Sequence, residues 1–222
     1  MRSMSSSFFL IGILLCVSSS FSGAAAAATE SGPSDAVHDT FGMPMEAGKR
    51  YHIYTAYDNQ GIRASTLGPE SCPVNVVVDN SCDGAEPVIF HPADPQEPVV
   101  RLSVPTTIRF SDINPCTNTS IWQVHAKKMD CNGRQKQLVK IGGEEGKPGC
   151  DTYRTWFKIR KATRYGKHSP NIYFIEYNPT DICEFPVQPG AIGPGSIYAP
   201  DQDLRSLELI DGSPPFFVFQ QA

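Results

Sequence analysis

Val37-His38-Asp39-Thr40-Phe41-Gly42-Met43-Pro44-Met45, with Tyr51-His52-Ile53-Tyr54 soon after it, opens the part of this 222-residue chain that decides the fold. Tyr51 to Tyr54 is the first of a long series of short alternating or β-branched runs. The others are Val74 to Val78, Val99 to Leu102, Thr107 to Phe110, Ile121 to Val124, Leu138 to Ile141, Trp156 to Ile159, Ile172 to Ile175, Leu207 to Ile210 and Phe216 to Phe219. A period of two suits strands that bury one face, and a helical period is hard to find. Turn formers separate the runs: Asp58-Asn59-Gln60-Gly61, Asn132-Gly133, Gly142-Gly143 and Asp211-Gly212. The pattern predicts an all-β chain, either a sandwich or a barrel. Internal repetition is faint, so periodicity alone does not separate a sandwich from a β-trefoil. Pro189 to Pro200 is rich in Pro and Gly and reads as a surface loop between strands.

Toward the N-terminus, Arg2 precedes an apolar run from Phe8 to Val17, and small residues Ala24 to Ala28 lead into the polar Thr29-Glu30-Ser31-Gly32-Pro33. This is the layout of a secretory signal peptide over 1–28, and the run is too short to span a bilayer. Residues 29–222 are then expected to form a single domain, with no membrane association in the mature form and a location outside the cell or in a storage vacuole. The 19 basic and 23 acidic residues give a net charge of −4, and loss of Arg2 makes it more negative by one unit. That sign disfavours nucleic acid, so the basic clusters at Lys127-Lys128 and Lys158 to Lys167 read as solvated faces.

Of 7 cysteines, Cys16 lies in the leader, leaving Cys72, Cys82, Cys116, Cys131, Cys150 and Cys183. An even number in an oxidising compartment reads as disulfides. No Cys-x-x-Cys pair and no histidine at zinc-ligand spacing accompany them, so no metal is expected. Enzyme motifs fail in turn. Gly142-Gly143-Glu144-Glu145-Gly146-Lys147 has Pro148 where a phosphate loop needs Ser or Thr, and two glutamates that would repel phosphate. Ser196 lacks the second flanking glycine of a nucleophile elbow. His38, His52, His91, His125 and His168 are scattered without a pairing pattern. The chain reads as a binding protein rather than an enzyme, with no cofactor. Asn118-Thr119-Ser120 is an N-glycosylation sequon.

The ordered set formed by Val37 to Met45, Tyr51-His52-Ile53, Gly61-Ile62-Arg63-Ala64, Cys72-Pro73-Val74, Pro87-Val88-Ile89-Phe90, Thr107-Ile108-Arg109-Phe110, Cys116 with Trp122-Gln123-Val124, Lys140-Ile141-Gly142-Gly143, Trp156-Phe157-Lys158-Ile159, Ile172-Tyr173-Phe174, Leu207-Glu208-Leu209 and Phe217-Val218-Phe219 resembles the plant Kunitz-type (soybean trypsin inhibitor-like) family across the mature chain. The resemblance implies one disulfide-stabilised β-trefoil domain, a monomer, and a protease as partner. Met43 departs from it, standing where the family's opening signature usually has a polar residue. Cys72 and Cys116 match the family's first disulfide. Cys183 resembles half of its second, but no cysteine stands near Tyr177 to complete it, so the remaining pairs are expected to be Cys131 with Cys150 and Cys82 with Cys183.

The segment similar to the family's reactive loop is Pro92-Ala93-Asp94-Pro95-Gln96, following His91, with Asp94 near the pocket-filling position. In such inhibitors a preorganised loop is held too firmly to be released as product. No Lys or Arg occurs from His91 to Val100. Asp94 would meet the carboxylate of a trypsin-type pocket with like charge, at a cost of several kcal/mol. Pro95 hinders attack at the bond before it. The family's loop-bracing asparagine corresponds to Ala47, which has no side-chain donor. The expectation is an endopeptidase inhibitor of atypical reactive site that does not inhibit trypsin. The alternative is a non-inhibitory storage, defence or small-ligand-binding relative on the same scaffold; a lectin of the Gln-x-Trp kind is disfavoured, since neither Trp122 nor Trp156 has Gln two positions before it.

Overall fold

The computed structural model describes residues 35–67, 71–81, 84–125, 128–129, 135–162, 171–184, 189–199, 203–210 and 212–222. They form fourteen strands: β1 Arg50–Thr55, β2 Gly61–Ser65, β3 Asn75–Asp79, β4 Val88–Pro92, β5 Thr106–Phe110, β6 Trp122–Val124, β7 Lys128–Met129, β8 Gln135–Lys136, β9 Val139–Ile141, β10 Lys158–Lys161, β11 Tyr173–Tyr177, β12 Gly190–Ala199, β13 Leu204–Ile210 and β14 Phe217–Gln221. The helical elements among the described residues are two single 3₁₀ turns, Tyr153–Thr155 and Pro179–Asp181.

The strand pairs are antiparallel, and the pairing closes on itself. β1 pairs β2, β2 pairs β3, β3 pairs β13, β13 pairs β12, β12 pairs β11, β11 pairs β14, and β14 returns to β1. A closed ring is a barrel, not a sandwich, and each strand of the ring has a partner on both sides. Alternation along β1 shows why these residues make strands: Tyr51, Ile53 and Thr55 point inward, while Arg50 is exposed. Ile53, Phe90, Ile108, Trp122, Phe157, Tyr173 and Phe219 are fully or almost fully buried. Side chains of this kind stabilise by about 1.5–3 kcal/mol each. Phe90 and Tyr173 both meet Phe219, with ring centroids 5.4 Å and 5.5 Å apart.

Three sequence readings are corrected. Pro189 to Pro200 is not a surface loop, since Gly190–Ala199 is a long strand that pairs with both β11 and β13. Its glycines serve packing: a Cβ on Gly193 would lie 2.2 Å from the Pro215 ring, and one on Gly195 2.2 Å from the Glu208 carboxyl carbon. The register shifts between Pro194 and Tyr198, which accommodates a proline that cannot donate to the ladder. Val99 to Leu102 is not a strand. It makes isolated bridges to the N-terminal segment, Glu46 with Val99 and Ala36 with Arg101. The basic run that starts at Lys158 is not wholly solvated, because Lys158 is buried and ion-paired with Asp181. Lys127, the Asn132-Gly133 turn and residues 163–170, His168 among them, lie outside the described residues.

Candidate functional site

β4 and β5 form a hairpin in register from Val88 opposite Phe110 to Pro92 opposite Thr106. Residues 93–105 hang from its open end and contain the loop singled out by sequence except for Pro92, which is the buried last residue of β4. The base is held by the Ala93 N–H donating to the Pro105 carbonyl at 2.8 Å. Its descending limb is stitched to the N-terminal segment: Ala47 N–H donates to Pro98 O at 2.9 Å, Val100 N–H to Met45 O at 2.9 Å, and Val37 N–H to Val100 O at 2.9 Å. Ala47 therefore does stand beside the loop, half-buried, but it braces the loop through its backbone alone.

The tip is a closed turn. The Glu97 N–H donates to the Asp94 carbonyl at 3.1 Å, and the Gln96 N–H donates to the Asp94 carboxylate at 2.9 Å. Pro95 occupies the second position, where its fixed φ presets a β-turn, and Asp94 in first place caps it. Glu97 and Arg101 clasp the next turn, with Arg101 Nε donating to Glu97 Oε2 at 2.9 Å and the Val99 N–H to Oε1 at 3.3 Å. The Arg101 guanidinium holds the Glu97 carboxyl below its ordinary range; desolvation opposes it, and the Val99 N–H adds a smaller lowering. Arg101, the first cation after His91, is thus engaged within the loop. The Glu97 clasp went unread in the sequence, although the i,i+4 spacing of an acid and an arginine was there to find it.

A second turn lies across the same stitching. Asp39 is buried, at 2 % exposure, and its Oδ1 accepts from the Phe41 N–H at 2.9 Å and the Met43 N–H at 2.8 Å. Gly42 supplies the left-handed φ of +82° that the turn requires. Asn171 Nδ2 donates to the Asp39 carbonyl at 2.8 Å, and the Thr40 N–H to Phe219 O at 2.8 Å. Phe41 and Met43 are thereby displayed at 74 % and 62 % exposure. The Asp-x-x-Gly spacing was the available signal for this turn.

The structure joins Cys72 to Cys116 and Cys150 to Cys183, with Cα atoms 6.1 Å and 4.9 Å apart. The second bridge corrects the expected pairs Cys131 with Cys150 and Cys82 with Cys183. The physical reason is position: Cys150 leads into one 3₁₀ turn and Cys183 follows the other, so the two turns bring them to bonding distance, and a cysteine bonds only once. Cys82 and Cys131 lie outside the described residues, as does the leader 1–28. Asn118 is exposed, with φ +54°, on a polar concavity of about 550 Å³ whose lining includes Arg109, Thr119, Ile121, Glu144 and Glu145. Among the described residues, no group of His, Cys, Asp or Glu is arranged to hold a metal ion, and no helix is long and apolar enough to cross a membrane.

Comparison with known proteins agrees with this architecture. The legume Kunitz family model, described as "Trypsin and protease inhibitor", matches residues 37–221. Miraculin of Synsepalum dulcificum is 31% identical over 216 residues, covering 94% of this chain and 91% of miraculin. Kunitz trypsin inhibitor 5 of Arabidopsis thaliana is 30% identical over 81% of this chain and 82% of its own. The solved Kunitz-type cysteine protease inhibitor PCPI-3 from potato superimposes with a TM-score of 0.72 at 26% identity, over 85% of this chain and 98% of that one. Soybean trypsin inhibitor, at 23% identity and a TM-score of 0.64 over 85% and 99%, shares the β-trefoil fold. With its closed barrel, its disulfides and a family match that runs nearly from the first described strand bridge to the last strand, this chain belongs to the plant Kunitz-type family of trypsin and protease inhibitors.

Proposed function

We propose that this chain is a non-catalytic protein of the secretory pathway that blocks an endopeptidase other than a trypsin-type enzyme, using the Pro92–Gln96 loop, exposed at Asp94, Pro95 and Gln96, as a fixed wedge. The observation that carries the reading is the closed Asp94–Glu97 turn on a stitched base. A trypsin-type site needs an extended segment with a cation in the specificity pocket. Here the segment is folded back on Asp94, and extending it breaks two hydrogen bonds worth about 0.5 kcal/mol each at this exposed tip. The stitching keeps the tip preorganised, which favours binding to any cleft whose shape it fits. The potato relative is an inhibitor of a cysteine protease, which supports a target class beyond trypsin.

A second reading has its own support. The turn withdraws the substrate-like segment altogether, and miraculin and the 21 kDa seed protein of Theobroma cacao carry no protease in their names. On that reading the chain is a storage, defence or small-ligand-binding protein. An inhibition panel of serine, cysteine and aspartic endopeptidases, run on the wild type and on Asp94→Lys, separates the two. Inhibition of a non-trypsin enzyme that the substitution weakens supports the wedge. A blank panel overturns it in favour of the second reading.

A further inference from the structure

The sequon Asn118-Thr119-Ser120 is split by the fold into two halves with opposite accessibility. Asn118 is exposed and borders the open polar concavity, where a sugar has room. Ser120 is buried, at 2 % exposure, and its hydroxyl donates to the Phe110 carbonyl at 2.8 Å. The Phe110 N–H donates back to the Ser120 carbonyl at 3.1 Å, so this residue is fixed to β5 on both sides. Thr119 is held as well, its hydroxyl donating to the Gly143 carbonyl at 3.2 Å. Two residues before the acceptor, Cys116 is tied to Cys72, and its N–H donates to the Asn114 side chain at 2.9 Å.

N-glycosylation reads the asparagine together with the hydroxyl two positions later. In the transfer, Asn118 Nδ2 forms a bond to the anomeric carbon of a polyprenyl-diphosphate-linked oligosaccharide. The bond from that carbon to the diphosphate oxygen breaks, the lipid diphosphate leaves with the electron pair, and the amide gives up one proton. The transferase must grip the Ser120 hydroxyl while this happens. In the folded chain that hydroxyl is committed to Phe110.

We propose that Asn118 is a glycosylation site open only before folding: the fold accommodates the glycan but closes the sequon to the enzyme, and docking of Ser120 on β5 with closure of Cys72–Cys116 ends the period in which the glycan can be added. Site occupancy is then set by a race between transfer and folding. A chain that folds first keeps a bare Asn118.

The test uses the full chain made without glycans, offered to purified oligosaccharyltransferase with a lipid-linked oligosaccharide. One sample is oxidised and folded, one is reduced and alkylated, and a third is taken at intervals during oxidative refolding with disulfides mapped. Asn118→Gln is the blank. The unfolded chain is expected to accept sugar at Asn118 roughly tenfold faster or more than the folded one, because transfer to the folded chain must wait for local opening. Acceptor capacity should fall in step with formation of Cys72–Cys116 and burial of Ser120. Equal transfer to folded and unfolded chains overturns the proposal, and so does a failure of the unfolded chain to accept sugar at Asn118.

Discussion

Two turns of this molecule use the same local chemistry to different ends. At Asp39–Met43 and at Asp94–Glu97 an aspartate closes a turn by accepting backbone N–H groups that follow it. At the first, the carboxylate is buried, accepts twice, and sits among hydrogen bonds that reach Asn171 and Phe219 more than a hundred residues away. At the second, it is exposed and accepts once from a neighbour two residues on. The first turn is therefore part of the barrel's closure, and the second is a local device that shapes a tip. On the proposed inhibitory reading, the function rides on the more weakly fixed of the two.

Removing the two carboxylates breaks the symmetry most sharply. Asp39→Ala removes a buried carboxylate that two N–H groups share and with it the turn docked on Asn171 and Phe219, and should cost about 2 kcal/mol. Asp94→Ala exposes its donor to water and should cost about 0.5 kcal/mol or less. Urea unfolding of both variants checks this; equal losses would mean that the Asp39 turn is as local as the other. A smaller effect belongs to Glu97. Its carboxyl is held low in the folded state, chiefly by Arg101, so its contribution is complete above the ordinary value of 4.5 and is lost as pH falls through the depressed folded value. The Val99 amide resonance should titrate with a midpoint below 4.5, and Arg101→Ala should move that midpoint upward. A midpoint already at the ordinary value would mean that the clasp does not hold the loop in solution.

How far the sequence could be read follows from where each interaction lies. Strands β1, β3, β5, β9, β11, β13 and β14 announced themselves because β-branched and aromatic residues cluster along them. β12 did not, since its Gly193, Pro194 and Gly195 look like a turn until Pro215 and Glu208 are seen to pack into the space the glycines leave. Val99 to Leu102 had strand-like composition, but its partners, Ala36 and Glu46, lie far upstream in an irregular segment. At the site, the acid and the proline were legible as residue types, whereas the turn that Glu97 closes on Asp94 was not. Disulfide connectivity shows the limit most plainly: six cysteines can pair in many ways, and only the positions of the two 3₁₀ turns bring Cys150 to Cys183.

Whether the Asp94–Glu97 tip is a shaped wedge or a trypsin-type reactive site is decided by a trypsin inhibition constant for the wild type beside Asp94→Arg, Pro95→Ile, Ala47→Asn and their triple combination. Asp94→Arg removes the cap and supplies a cation for the pocket carboxylate, Pro95→Ile frees the turn to extend, and Ala47→Asn adds a side-chain brace at a position already bonded to Pro98. Because the three act on one loop, the triple variant should gain more than the singles sum to. A shaped wedge gives no tight inhibition by the wild type and inhibition restored in the triple variant. Tight trypsin inhibition by the wild type that Asp94→Arg leaves unimproved, or a correctly folded triple variant that still fails to inhibit, would contradict it.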